Sequence, residues 1–358
     1  MTRVLFDAHQ LGRRQTGNET YVRELLRGLR ALDDLELIAA VETGQRPTDV
    51  LAPPVRLRRL PPNGFARLAA MAILARQERS DLVHAMYFLP PATGRPTVLT
   101  VHDISFERFP EFFSRRSLVR DRALIRISAR LASRVVTVSE TSRRDLVELY
   151  GLAEDRVVAI PNGVSGRFRP SEETSWAPYT GDRPLQVLAV GTLQPRKNLL
   201  RLLDAVAIVG RDIPVQLRIV GPDGHQAAEI RDRLASSVQT EIVGWLDDDA
   251  LADAYRRADV FAYPSIYEGF GLPVIEAMAC GTPVVTSTGG SLPEVAADAA
   301  LVVDPYDIAA LAGAIRRIAE DGPAAAALRA RGLARAATFT WERSAALHAE
   351  VYRDLVAQ

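Results

Sequence analysis

Cysteine is all but missing from this sequence. Cys280 stands alone among 358 residues, so an internal disulfide is excluded and a cysteine-built metal site has no second ligand. The residue reads instead as a small buried member of an apolar helix. Lysine is equally scarce: of 44 Lys and Arg residues, Lys197 is the one lysine. Aromatics reach only 6% and are not interleaved with basic residues, which argues against a nucleic-acid partner. No stretch of about 18 apolar residues occurs, and MTRVLFDAHQ enters a strand pattern without the apolar core of a secretory signal. These absences lead us to expect a cytoplasmic protein.

What is present is a globular composition, 47% hydrophobic and 25% charged, in a chain long enough for two domains of about 150 to 200 residues. The net charge is zero, yet residues 1–170 hold 27 basic and 19 acidic side chains and the remainder 17 and 25, so the halves carry +8 and −8. Such asymmetry points to an anionic partner for the first half, a membrane surface or a phosphorylated substrate.

Short apolar runs alternate with helical patterns from end to end, which predicts βαβ units and parallel sheets. Strands are expected at 4–6, 37–41, 82–85, 98–101, 135–138 and 157–160, and again at 187–190, 217–220, 241–243, 260–263, 284–286 and 301–303. Two series of six imply two doubly wound Rossmann-like domains, 1–170 and 171–358, joined by a linker near 170–183 that is rich in Gly, Pro and Ser. Ligands of such sheets bind at the carboxyl ends of the strands, so the active site is expected in the cleft between domains.

Lys197 sits in VLAVGTLQPRKNLLRLLDA. A buried strand, a turn opened by Gly191, the basic pair Arg196 and Lys197, and a helix for which Asn198 can serve as cap together describe an anion site at a helix N-terminus. A Walker A loop is excluded, because the second glycine and the magnesium-binding Ser/Thr are missing. In SIYEGFGLPVIEAMACGTPVV, Pro273 suits a first helical position and marks a second anion-binding helix start. Glu276 lies among Val274, Ile275, Ala277, Met278 and Ala279, with no cation at positions 272 or 280. Ligand hydroxyls, or a backbone or water partner, would satisfy it. Gly269 and Gly271 begin a dinucleotide-like pattern that fails at Val274. Asp247 and Asp249 have the spacing of a metal-binding pair, but capping of the following helix explains them. His102 follows an apolar strand at its carboxyl end, where a lone histidine is as a rule structural; His9, His84, His225 and His348 have no comparable setting.

On these residues the chain resembles a family 4 glycosyltransferase of the GT-B fold, through EGFGLPVIEAMACGTPVV with its Glu-x7-Glu motif, GTLQPRKNL, IPNGV, VHDISF and RRQTGNETYVRELLRGL. VHDISFERFPEFF followed by VSETSRRDL is most similar to bacterial mannosyltransferases of polysaccharide assembly. The resemblance implies roles. Arg196 and Lys197 would bind the diphosphate of a nucleotide sugar and neutralise the leaving group without a metal. Glu276 would accept from ribose hydroxyls, and Glu268 would face the transferred sugar. Phe270, Gly271 and Leu272 would hold sugar and phosphate through backbone N–H groups, Gly17 would close the first-domain loop over the phosphates, and His102 would hydrogen-bond the transition state. It further implies a retaining enzyme that needs no cofactor, with GDP-mannose as donor and a saccharide or lipid-linked acceptor. The last helix, about 341–358, is expected to pack back on the first domain. A nucleotide-sugar epimerase or hydrolase on the same fold, and a non-catalytic nucleotide-binding protein, are the rival readings; the Glu-x7-Glu and Arg-Lys set argues against the first, and intact Lys197, Glu268 and His102 against the second.

The basic excess of the first half concentrates in EFFSRRSLVRDRALIRISARLASR. Arg122, Arg126, Arg130 and Arg134 recur every four residues, forming one stripe of a helix. That stripe is expected either to be solvated or to meet an anionic membrane face, which would place the protein peripherally on the inner membrane.

Overall fold

Strands form wherever β-branched and leucine-rich runs can be buried on both faces, as parallel strands require. In the computed structural model, which describes residues 1–12, 16–44, 52–113, 115–172, 176–237 and 239–357, they are β1 (Thr2–Asp7), β2 (Leu35–Glu42), β3 (Arg56–Leu60), β4 (Leu82–Met86), β5 (Thr97–Thr100), β6 (Arg134–Thr137) and β7 (Val157–Ala159), then β8 (Leu185–Val190), β9 (Val215–Val220), β10 (Thr240–Gly244), β11 (Val260–Tyr263), β12 (Val284–Ser287) and β13 (Leu301–Val303). Between and after them run helices α1 (Thr16–Arg30), α2 (Gly64–Gln77), α3 (Ser105–Arg108), α4 (Arg115–Leu131), α5 (Glu140–Tyr150), α6 (Leu199–Val209), α7 (Ala227–Ala235), α8 (Asp248–Arg257), α9 (Leu272–Cys280), α10 (Leu292–Ala296), α11 (Ile308–Glu320), α12 (Gly322–Ala336) and α13 (Trp341–Ala357). The twelve expected strands are all present and both sheets are parallel, which makes the fold the doubly wound α/β pair that the alternation predicts. β3 is the addition. Its sequence RLRRL offers apolar side chains only at Leu57 and Leu60, and it is held at the sheet edge by Arg56 and Arg58 pairing with Glu36 and Glu78.

The chain divides into two compact units, Met1–Arg108 with Arg115–Gly163 and Thr340–Gln358, and Phe109–Ser114 with Val164–Phe339. The first holds a seven-stranded sheet in the order β3-β2-β1-β4-β5-β6-β7. On one face α2 covers Leu5, Ile38 and Val83, while α4 and α5 cover Leu99 and Val135. On the other lie α1 and α13, so close that a Cβ at Gly28 would fall 2.7 Å from that of Ala345. Helix α13 buries Trp341, Ala345, His348, Ala349 and Tyr352, and each large apolar side chain so buried contributes about 1.5–3 kcal/mol.

The second unit holds a six-stranded sheet in the order β10-β9-β8-β11-β12-β13. α6, α7, α11 and α12 supply its main core, from Leu202 and Val206 to Ile315 and Leu328. Residues 176–183 run along this unit: Trp176 and Tyr179 pack on the core, and Arg183 forks onto Asp259 at 2.6 and 2.7 Å. Among the described residues no helix is long and apolar enough to cross a membrane.

Candidate active site

In each sheet the strand order reverses once, between β1 and β4 in the first unit and between β8 and β11 in the second. The carboxyl ends of strands flanking such a reversal form a crevice that helices cannot fill.

In the second unit this place is cationic. After β8, Gly191 adopts φ +149°, and a Cβ there would lie 3.2 Å from Lys197 Cε; the glycine gives the lysine stem room against the strand end. Pro195–Lys197 form one tight helical turn, which aims both basic side chains at the residues following β11. Lys197 Nζ lies 2.7 Å from Glu268 Oε1 and donates to the Tyr263 hydroxyl at 2.5 Å. Arg196 Nη1 lies 2.8 Å from Glu268 Oε2 and also donates to the Tyr267 carbonyl. Glu268 is 7% exposed. Burial alone would raise its pKa, but the charges of Arg196 and then Lys197 hold it at about 2, so it is ionised at all working pH values. Burial and then the neighbouring carboxylate push the Tyr263 hydroxyl well above its ordinary 10.0. That leaves two cations against one anion, a surplus of one positive charge.

The loop after β11 is built to close tolerance. Gly290 has φ +63°, and a Cβ there would strike the Glu268 carbonyl oxygen at 2.3 Å. Ser291 Oγ donates to the Glu268 and Phe270 carbonyls at 3.1 and 2.9 Å. The Phe270 ring is core, edge-on to Phe339 at 5.6 Å, which leaves its backbone as the part able to meet a ligand. Gly271 then precedes α9, with Leu272 and Pro273 as its first residues. The N-termini of α6 and α9 add partial positive charge and N–H groups lacking helical partners.

Glu276 of α9 is buried, and its Oε2 accepts from the Tyr255 hydroxyl at 3.0 Å. That partner sits on α8, beyond the reach of local periodicity. Asn198 departs from its expected part: its backbone is left-handed, with φ +61°, and its side chain makes no cap. Its amide instead donates to the Pro264 and Pro305 carbonyls at 2.9 and 2.6 Å, tying the β8 loop to those after β11 and β13. Asp247 does cap α8, accepting from Ala250 N–H at 2.9 Å, and Asp249 pairs with Arg167.

In the first unit, His102 lies two residues past β5. Its Nε2 is buried with no hydrogen-bond partner among the described residues, and burial pushes its pKa down to about 4. The ring stands edge-on to Tyr21 at 4.5 Å and to Tyr87 at 5.7 Å. A neutral imidazole with one unmet nitrogen can exchange a single hydrogen bond with a ligand. Behind it lies a polar network that the sequence reading did not find. The Tyr21 hydroxyl bridges Thr100 Oγ1 at 3.0 Å and His348 Nε2 at 2.9 Å, while His84 joins Tyr352 and Thr100 at 2.6 Å each. His348 Nδ1 donates to the Ser344 carbonyl at 2.7 Å, so its Nε2 must accept. Gly17 is exposed in the first turn of α1.

The arginine stripe is spent on the protein itself. Arg122 Nη2 donates to the Phe106 carbonyl, Arg126 Nη2 to that of Leu149 at 3.2 Å, and Arg130 to that of Tyr150 at 3.0 Å. The last two serve the carboxyl end of α5, where cations are favoured. Arg134 lies on β6, outside the helix. The outward side chains of α4 include Val119, Ile127 and Leu131.

Comparison with known sequences assigns both units. Residues 16–166 match Glycosyltransferase Family 4, and residues 171–335 match Glycosyl transferases group 1. The chain is 32% identical to the O-antigen chain mannosyltransferase B of Escherichia coli, over 78% of this chain and 76% of that one. It is also 32% identical to the D-inositol 3-phosphate glycosyltransferase 2 of Catenulispora acidiphila, over 96% and 91%. Among solved structures, the sucrose-phosphate synthase of Thermosynechococcus elongatus superposes along the full length of both chains with a TM-score of 0.82 at 25% identity.

Proposed function

Because the chain belongs to the family 4, group 1 glycosyltransferases of the GT-B fold, we propose that it is a retaining, metal-independent mannosyltransferase that moves mannose from GDP-mannose to a saccharide or lipid-linked acceptor. The observation that carries the proposal is the surplus positive charge of Arg196 and Lys197 over Glu268 at the switch point of the second unit. A nucleotide diphosphate develops negative charge as the sugar departs, and preorganised cations with two helix N-termini stabilise that charge without reorganising. Glu268 plays two parts in this reading: it fixes both cations before the donor arrives, and it faces the sugar. His102 supplies one hydrogen bond to the sugar from the first unit. Gly17 and the backbone of Phe270, Gly271 and Leu272 complete the donor contacts. The mannosyl relative supports mannose as the transferred sugar. Arg122, Arg126, Arg130 and Arg134 all donate to backbone carbonyls, which leaves fewer of their N–H groups for an anionic membrane face.

The test is thermal-shift titration with GDP-mannose and UDP-glucose, followed by mass detection of sugar transfer. GDP-mannose should stabilise and be turned over, and activity should survive EDTA. Preference for UDP-glucose would reassign the donor, and loss in EDTA with rescue by Mn²⁺ would overturn metal independence.

Glu276, on the ribose in ground and transition states alike, acts through uniform binding. Glu276→Gln should therefore raise the donor KM more than it lowers kcat. Tyr255→Phe, which removes one bond to that carboxylate, should do the same by a smaller factor. Steady-state kinetics with donor varied would decide, and a fall in kcat at unchanged KM would refute this role.

A further inference from the structure

His102 carries an imidazole whose Nε2 has no hydrogen-bond partner among the described residues. Its carbonyl accepts from Thr137 Oγ1 at 3.2 Å, which fixes the backbone, while the ring stands against the edges of Tyr21 at 4.5 Å and Tyr87 at 5.7 Å. Tyr21 is held in turn by a chain of hydrogen bonds in which every proton can be placed. Burial keeps His348 and His84 neutral, the first pushed down to about 4 and the second well below 6.5, and it raises the Tyr21 and Tyr352 hydroxyls above their ordinary 10.0. His348 Nδ1 lies 2.7 Å from the Ser344 carbonyl, which can only accept, so the proton is on Nδ1 and Nε2 accepts from the Tyr21 hydroxyl at 2.9 Å. With its one proton spent, Tyr21 accepts from Thr100 Oγ1 at 3.0 Å. Thr100 then has none left for His84, so His84 Nε2 donates to it at 2.6 Å, and His84 Nδ1 accepts from the Tyr352 hydroxyl at 2.6 Å. The chain has one direction, because its reverse would require a carbonyl to donate. It begins and ends on α13 and passes through β4, β5 and α1.

We propose that Tyr21 is a positioning residue for His102, and that α13, through His348 and Tyr352, is what holds Tyr21 in place. The proposal rests on the reading of His102 as a hydrogen-bond partner of the sugar. Tyr21 is 1% exposed, so it acts through His102 and not on the sugar. Its two parts do separate work: the ring bounds the imidazole, and the hydroxyl ties that ring to Thr100 and His348. A ring fixed beforehand leaves the open nitrogen of His102 one direction in which to point, and the cost of orienting it is met before the sugar arrives. Tyr21→Phe keeps the ring and removes only what holds it.

The experiment has a kinetic arm and a spectroscopic arm, both on the full chain. With whichever of GDP-mannose and UDP-glucose is turned over, Tyr21→Phe should lower kcat about tenfold at nearly unchanged donor KM, and should cause no further loss when His102 is already replaced by Ala. Thr100→Val, which breaks the chain one bond earlier, should act in the same direction, and Thr100→Ser, which restores the hydroxyl, should recover most of the loss. In NMR spectra of chain labelled with 13C-histidine, the carbon-bound ring protons of His102, assigned by their loss in His102→Ala, should shift in Tyr21→Phe while those of His9 and His225 stay in place. A fall in Tm with kcat unchanged is the mark of a merely structural tyrosine and would overturn the proposal, as would an equal loss of kcat with and without His102, or unmoved His102 resonances. Wild-type kinetics in His102→Ala, or no turnover of either nucleotide sugar, would instead strike the role given to His102 or the donor reading, and the resonances would then decide whether Tyr21 sets the ring.

Discussion

Lys197→Ala is expected to lower kcat by about 10²-fold or more, the loss typical of removing one preorganised charge from a developing anion. The substitution converts two cations against Glu268 into one, and the surplus charge of the site falls to zero. Arg196 still pairs with the carboxylate, so Glu268 keeps a partner and folding should change little. Lys197→Arg should rescue poorly, because the lysine stem already lies where a single added carbon on Gly191 would be crowded, and a planar fork needs more room than a point charge. Single-turnover kinetics with saturating donor would check this. Unaltered transfer by Lys197→Ala would refute the assignment of the phosphate site.

Acid should unfold the first unit before the second. His102 and His348 are each held neutral by burial with pKa values near 4, against 6.5 for the free side chain, and His84 is shifted in the same direction. Each binds its proton more readily once unfolded. Stability is thus intact above pH 6.5 and is lost as pH falls toward 4, at roughly 1.4 kcal/mol per pH unit per histidine. Two histidines lose roughly 6 kcal/mol over that window, comparable with the whole stability of an ordinary domain. Glu268 in the second unit loses its contribution in the same direction but at lower pH: its depressed pKa stabilises fully above about 4.5, and that stability is lost as pH drops toward about 2. Calorimetric melts at pH 7, 6 and 5 should resolve a transition that moves steeply downward, with His348→Gln lessening its slope. A single transition at one temperature from pH 7 to 5 would refute the expectation.

Strand positions were legible because parallel strands are continuous apolar runs, and the basic pair of the donor site because it lies between a strand and a helix in one short segment. What escaped were partners distant in sequence. Tyr255 supports Glu276 from another helix, and Tyr263 accepts from Lys197 across 66 positions. β3 escaped because three of its five residues are arginines, Arg56 and Arg58 paired with carboxylates elsewhere and Arg59 donating to the Glu42 carbonyl. The left-handed backbone of Asn198, which removes its side chain from capping, leaves no compositional trace. His84 and His348 were passed over for a related reason: a buried histidine declares its role only through the hydroxyls that the fold brings to it.

The place of α13 has a consequence for biosynthesis. Its residues belong to the first unit, and His348 and Tyr352 complete the hydrogen bonds of Tyr21 and His84. On a ribosome those residues emerge after the 176 residues from Val164 to Phe339, a delay of roughly ten to thirty-five seconds at ordinary elongation speeds. Through that interval the nascent first sheet carries uncovered apolar side chains on the α13 face, and Tyr21 and His84 each lack one of their two hydrogen-bond partners. The half made first is finished last, so a chaperone that shields nascent chains has its natural client surface here, on the face awaiting the final helix.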